Sequence, residues 1–273
     1  AAAATWVASR LGRRLAGAVG GMVAQRSKAS ASTCCADGTD TVPDPMSFEL
    51  GLQEWEALRL SARVALFATL ACLPLGTFVG WLLARRDFRG KFLLEALVQL
   101  PMVLPPIVPG YALLLLFGSR GPLGRWLEAT FGIQLAFTWK GAVVASAVMA
   151  FPLLVQPVRV AFRLIDARLE HAATTLGATP WNAFLTVALP LALPRVLAGA
   201  VLCFSRSLGE FGATMAFVGN IPGETRTLPL AIYSFMQQPD GEAAALRLAL
   251  LSIALAVVAL AVSHWMTRRA ERR

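Results

Sequence analysis

The chain has 273 residues, of which 56% are hydrophobic and only 15% charged, and its mean hydropathy is +0.61. Soluble domains carry roughly 25% charged residues, so composition excludes an ordinary soluble domain and points to a polytopic membrane protein. A formal charge of +9 would suggest nucleic acid on a soluble chain, but here the basic residues gather at the ends of apolar runs, the pattern of cytoplasmic loops, and no nucleic-acid partner is expected. Cys72 and Cys203 lie inside apolar runs and read as small core residues. Cys34 and Cys35 are adjacent, and His171 and His264 are far apart; no spacing resembles a metal site.

Residues 1–45 differ from the rest. They are rich in Ala, Gly and Ser, and carry Arg10, Arg13, Arg14, Arg26 and Lys28 before the first acidic residue, Asp37. Arginines interrupt the apolar runs, so none reaches the ~20 residues that cross a bilayer. This extension is expected to be a disordered tail, a basic Ser-rich targeting peptide, or an upstream stretch not normally translated, with Met46 as the start after the "PDP" break.

Five long apolar segments follow, at about 57–84, 93–117, 139–162, 196–218 and 243–266. Each is long enough to cross ~30 Å of hydrocarbon at ~1.5 Å per residue. All are expected to be helices, because lipid offers no partner to an open backbone. Arg85, Arg86, Arg89, Lys91, Arg159, Arg163, Arg168, Arg195, Arg268, Arg269, Arg272 and Arg273 fall on one side. Only Arg120, Arg125, Lys140, Arg226 and Arg247 fall in the opposite loops. The positive-inside rule puts the first set in the cytoplasm, the start of the first span outside and the C-terminus inside.

Segment two holds Pro101, Pro105, Pro106 and Pro109, then Gly110. Each proline removes a backbone donor and crowds the preceding turn, so this helix must kink or break. It is either a packing helix or, with Pro105, Pro106 and Pro109, a wall of a translocation path. Segment four carries "SRSLGEFGAT", in which Arg206 and Glu210 are four apart and share a face. Ser205, Ser207 and Thr214 accompany them. Arg206 lies roughly 16 Å into the span at helical rise, where a charge is costly and usually faces a bundle interior or a pore. The pair is either a structural ion pair or a lining of the path, with Arg206 supplying positive potential for an anion. Gly209 and Gly212 leave room for another helix. The turn-rich loop Gly219–Pro229 is placed to close over the path or meet an external partner. The segment Arg120–Trp139, with Trp126, Leu127 and Phe131 at helical spacing, reads as containing a short interfacial helix. No phosphate loop, nucleophile–base set or intramembrane His–acid cluster is present, so no enzyme activity is expected, and energy must come from a partner or an ion gradient.

Between segments three and four runs "LEHAATTLGATPWNAFLTVALP", Leu169–Pro190. Gly177 can end a short helix, Thr179 can cap the next, and Pro180 suits its first position. A helix–turn–helix exposed to the cytoplasm is expected. This stretch resembles the "EAA" signature of permease subunits of ATP-binding-cassette importers: Glu-Ala-Ala, three residues, Gly, nine residues, an aliphatic residue, one residue, Leu-Pro. Ala172, Ala173, Gly177, Val187, Leu189 and Pro190 match it. His171 stands where the family has Glu, and Glu170 is one position earlier. "LPMVLPPIVPGYALLLLFG", "AVMAFPLLVQPVRVAF" and "SRSLGEFGATMAFVGNIPGETRTLPLAIY" are similar to the molybdate branch of that family, from about Met46 onward.

The resemblance implies an all-α integral membrane fold of the type I importer permease kind, with five transmembrane helices and a cytoplasmic coupling helix. It implies a homodimer in the bacterial inner membrane, surrounded by lipid. A separate ATPase would use ATP and Mg and dock on the coupling region that includes Glu170, His171, Ala172, Ala173, Gly177, Pro180, Leu189 and Pro190. An external (periplasmic) binding protein would deliver molybdate. A related oxyanion (tungstate, sulfate or thiosulfate) is the near alternative; an ATPase-independent secondary transporter or a membrane scaffold is the alternative of another class. No metal or cofactor is expected on this chain itself.

Overall fold

Lipid leaves a backbone no hydrogen-bond partner but its own helix, and the apolar segments fold accordingly. The computed structural model describes residues 51–239 and 241–271; residues 1–45, with the extension expected there, lie outside them, as do Cys34 and Cys35. The first helix, α1 (Leu52–Arg85), is followed by α2 (Lys91–Val103), α3 (Ile107–Phe117), α4 (Pro122–Phe131), α5 (Trp139–Leu164) and α6 (Ala167–Thr175). Next come α7 (Pro180–Ala183), a π-helical turn at Phe184–Ala188, α8 (Leu189–Leu208), α9 (Gly212–Val218), α10 (Leu228–Met236) and α11 (Glu242–Glu271). Among the described residues, four rods are long and apolar enough to cross a membrane: α1, α5, Trp181–Leu208 and Glu242–Met266. The pair α2–α3 makes a fifth if counted as one broken span.

That pair is bent by 114°, and the proline spacing explains where. Leu104 precedes Pro105 and is extended (φ −75°, ψ 146°), the conformation a following proline imposes. Pro109 falls in the first turn of α3, where no intrahelical donor is needed. Of the four prolines only Pro101 sits inside a helix where a bond is lost. The segment therefore breaks at 104–106 rather than kinking throughout.

The centre of the bundle is α5, packed on α1 and α8. Small residues let the axes approach: a Cβ on Gly76 would lie 2.6 Å from Leu154, and one on Gly80 would lie 2.5 Å from Val158. Leu154, Val158, Phe162, Ala192 and the unpaired thiols Cys72 and Cys203 are buried in this core. A second cluster, with Val64, Leu113, Met149 and Phe217, fills the other end. By contrast, only 11% of the apolar window of α11 is buried. Its Leu250, Ile253 and Val257 remain exposed, as suits a lipid-facing helix.

Ion pairs fasten both ends. At the end holding the basic loops, Arg159 grips Glu95 with both guanidinium nitrogens. At the opposite end the buried Glu54 accepts from Arg247 at 2.9 Å and from the Gly51 amide at 2.8 Å. The substitution Gly80→Leu is expected to separate α1 from α5 and cost on the order of 1–3 kcal/mol through overpacking. A lowered thermal midpoint in detergent checks this, with Gly90→Ala in the exposed α1–α2 turn as the unaffected control.

Candidate translocation and coupling site

The expected coupling region, Leu169–Pro190, lies in a helical hairpin closed by local chemistry. Asp166 caps α6, its carboxylate accepting from the Arg168 amide at 2.9 Å. At the other end Gly177 has φ +93°. The Gly177 amide donates to the Thr174 carbonyl at 3.1 Å, and that of Ala178 to the Ala173 carbonyl at 3.0 Å. These two bonds are the Schellman closure, which satisfies helix-end carbonyls and favours a glycine in the left-handed position. Thr179 then caps α7, its hydroxyl accepting from the Asn182 amide at 3.3 Å, with Pro180 as the first helical residue.

After that turn the chain runs as one continuous rod to Leu208. The helix of segment four thus begins some fifteen positions before the expected 196. Pro190, Pro194 and Arg195 interrupt the hydropathy there without ending the helix. Pro190 in a regular α-helix would crowd the Thr186 carbonyl. The chain widens instead to a π turn, in which the Leu189 amide donates to the Phe184 carbonyl five residues back. The Phe184 ring stacks on Phe162 and Trp181 and meets Trp81 edge-on, with centroids 5.8, 5.6 and 5.5 Å away. This aromatic knot seats the hairpin on α1 and α5. The face formed by Phe184, Val187 and Ala188 thus turns into the bundle. The outward face carries Ala172, Leu176 and Trp181, with Leu176 89% exposed. Ala173 is half-buried, Leu189 packs on the core and Pro190 is exposed. The side chains of Glu170, His171 and Pro180 lie outside the described ones. Leu176 and Trp181 stand out only when the fold is known; their one local signal is a large apolar side chain beside a turn.

At its far end, roughly 40 Å from Trp181 at helical rise, the rod stops at Leu208 and the chain is non-helical through Gly209, Glu210 and Phe211. The reading of Arg206, Ser207, Glu210 and Thr214 as one helical stripe is corrected by this break. Glu210 lies in it, 1% exposed, with one oxygen 2.6 Å from the Arg206 guanidinium and the other accepting from the Ala213 amide at 2.9 Å. It neutralises Arg206 and caps α9. Thr214 is buried with its hydroxyl bonded to the Phe211 carbonyl, and Ser207 is buried. Only Arg206, 31% exposed, and Ser205, half-buried and bonded to the Val201 carbonyl, remain accessible.

The break in segment four meets the break in segment two. A Cβ on Gly212 would lie 2.6 Å from Pro106, and one on Gly110 would lie 2.6 Å from the Ala213 carbonyl. Gly209 makes no such close approach. Pro109 is buried beside this contact, while Pro105 and Pro106 are exposed at the bend. Pro105, Pro106, Pro109, Arg206 and Glu210 are therefore brought to one locus. Irregular backbone at membrane depth survives only against protein or a water-filled cavity.

Two interlocked helix breaks beside an accessible cation, joined by a continuous rod to a capped hairpin at the basic end, define a membrane transport subunit. Residues 74–272 match the family described as binding-protein-dependent transport system inner membrane component, and the chain belongs to that family. It is 53% identical over 220 residues to the molybdenum transport system permease protein ModB of Escherichia coli (strain K12), covering 81% of this chain and 96% of that protein. The ModB protein of Haemophilus influenzae is 51% identical over the same shares. A crystal structure of a bacterial alginate ABC transporter, in complex with a periplasmic protein bound to alginate pentasaccharide, superposes with a TM-score of 0.58. It covers 81% of this chain and 80% of that one at 17% identity, a likeness of fold.

Replacing Gly177 by Val forces a β-branched residue to φ +93°; the expected cost is about 1–3 kcal/mol, read as faster amide exchange at Gly177 and Ala178 than in the parent. For the ion pair, Arg206→Ala strands a buried carboxylate and is expected to cost roughly 3 kcal/mol. The double change Arg206→Ala with Glu210→Gln keeps an acceptor for the Ala213 amide and should recover most of that loss. Thermal unfolding of the set of variants measures the coupling.

Proposed function

We propose that this chain is the pore-forming permease subunit of an ATP-driven importer that carries molybdate across the bacterial inner membrane. The observation that carries this reading is the 53% identity with a molybdenum permease along 96% of that protein. Two copies would enclose the path. The basic loops would face the cytoplasm by the positive-inside rule, with the start of α1 outside and the C-terminus inside. A separate ATPase, using ATP and Mg, would dock on the hairpin around Ala172, Leu176 and Trp181. An external binding protein would deliver the oxyanion at the opposite face. This subunit itself would catalyse nothing.

The geometry suggests how the parts divide the labour. A unit charge pair at 4 Å is worth about 4 kcal/mol at an effective dielectric near 20, enough to draw an anion to Arg206. Glu210 cancels much of that attraction, so the anion passes without being trapped; conduction needs binding weak enough to allow release. Movement of the ATPase would reach the path because the Trp181–Leu208 rod is unbroken and the aromatic knot fixes its near end.

Uptake of labelled molybdate by cells lacking this subunit, with and without the gene restored, tests the reading. Uptake at nanomolar supply should vanish and return with the gene; normal uptake in the deleted strain would refute it. Excess sulfate or tungstate in the same assay distinguishes the related oxyanions: a sulfate importer would be blocked by sulfate, a molybdate importer would not.

A further inference from the structure

At the basic end of the bundle a groove of about 570 Å³ opens between α1 and the coupling hairpin. Leu73, Phe78 and Trp81 form one wall, Trp181 and Phe184 the other, and Arg86 stands at one end. The proposed transport cycle uses Trp181 at its rim and the packing of Phe184 in its wall, but not the space between them and α1. From Arg86 to Leu73 the wall runs thirteen positions along α1, about 20 Å at helical rise. One leaflet of hydrocarbon is about 15 Å deep, half of the ~30 Å core. The groove thus has one cation at its end and an apolar wall long enough to span the depth of one leaflet.

We propose that this groove is a binding site for one anionic phospholipid, its phosphate on Arg86 and an acyl chain along α1. Several observations favour a lipid over a protein segment. The walls are almost wholly apolar, and two tryptophans, Trp81 and Trp181, line them, the residue type enriched at membrane–water interfaces. Arg86 is exposed, and Arg89 and Lys91 share its loop. The one carboxylate of that loop, Asp87, is held 2.6 Å from the Lys91 ammonium, whose charge offsets its own. Because Trp181 and Phe184 belong to the coupling hairpin, the lipid would bridge that hairpin to α1. This site rests on the chain being embedded in a membrane and not on the identity of the transported anion.

The test is native mass spectrometry of the purified full chain, exchanged into equimolar phosphatidylglycerol and phosphatidylcholine. The parent is expected to retain phosphatidylglycerol roughly fivefold over phosphatidylcholine, the effect of one basic side chain on an anionic lipid. Arg86→Gln should abolish that preference, and Thr77→Trp, which fills the groove, should reduce retention of both lipids. Equal retention by the parent, or an unchanged preference in Arg86→Gln, overturns the site. Quenching of the unaltered chain's tryptophan fluorescence by brominated phosphatidylglycerol, stronger than by brominated phosphatidylcholine, supports it without any variant. Loss of the retained lipid when the ATPase is added would mean that a protein segment fills the groove, and would overturn it too. Molybdate uptake is not read in any arm, so failure here leaves the transport assignment standing.

Discussion

Everything in this fold depends on how a bilayer treats broken helices. A backbone that leaves its helix inside hydrocarbon exposes amides and carbonyls that lipid cannot satisfy, at several kcal/mol each. This chain breaks twice, at 104–106 and at 209–211, and houses each break against the other. Pro106 fits into the space left by Gly212, and Gly110 lies on the backbone of Ala213. The Glu210 carboxylate completes the arrangement by holding Arg206 and capping the Ala213 amide together. A polar locus in the middle of an apolar bundle is the consequence.

The rest of the bundle positions that locus. Tight packing of α1 on α5 at Gly76 and Gly80, with α8 laid alongside, makes a core that resists bending. Phe184 pins the near end of the long rod among Trp81, Phe162 and Trp181. A push on the turn at Gly177 is therefore best relieved by moving the whole rod. Rigid-body motion of this kind is how packed helices commonly transmit a change of state.

Much of this was legible in the sequence wherever the cause is local. Composition dictated helices, the proline spacing required a kink or a break in segment two, and Gly177, Thr179 and Pro180 spelled out the hairpin because caps and left-handed turns depend on a few adjacent residues. The resemblance of Leu169–Pro190 to a coupling signature led to the correct family. What stayed hidden depends on distant partners. Four-residue spacing made Arg206 and Glu210 look like neighbours on one helix; they do pair, but across a helix end, which only the contact with Pro106 and Gly212 makes tolerable. Nor does local pattern distinguish an accessible Arg206 from a buried Glu210. The early start of the fourth rod escaped because Pro190 and Pro194 look like breakers until a π turn absorbs the first of them. The groove at Arg86 is made by two segments about a hundred residues apart, and no local pattern records it.

The central claim is that the coupling turn and the helix break are the two ends of one body. Pulsed electron-spin distances between labels at Leu176 and Leu193, two exposed positions, test it in the assembled transporter, first without nucleotide and then with ATP trapped. The intrachain distance should stay constant to within about 2 Å while distances between the two copies change. A shift of a helical turn, about 5.4 Å or more, within the chain would mean that the hairpin moves on its own, and would contradict the account.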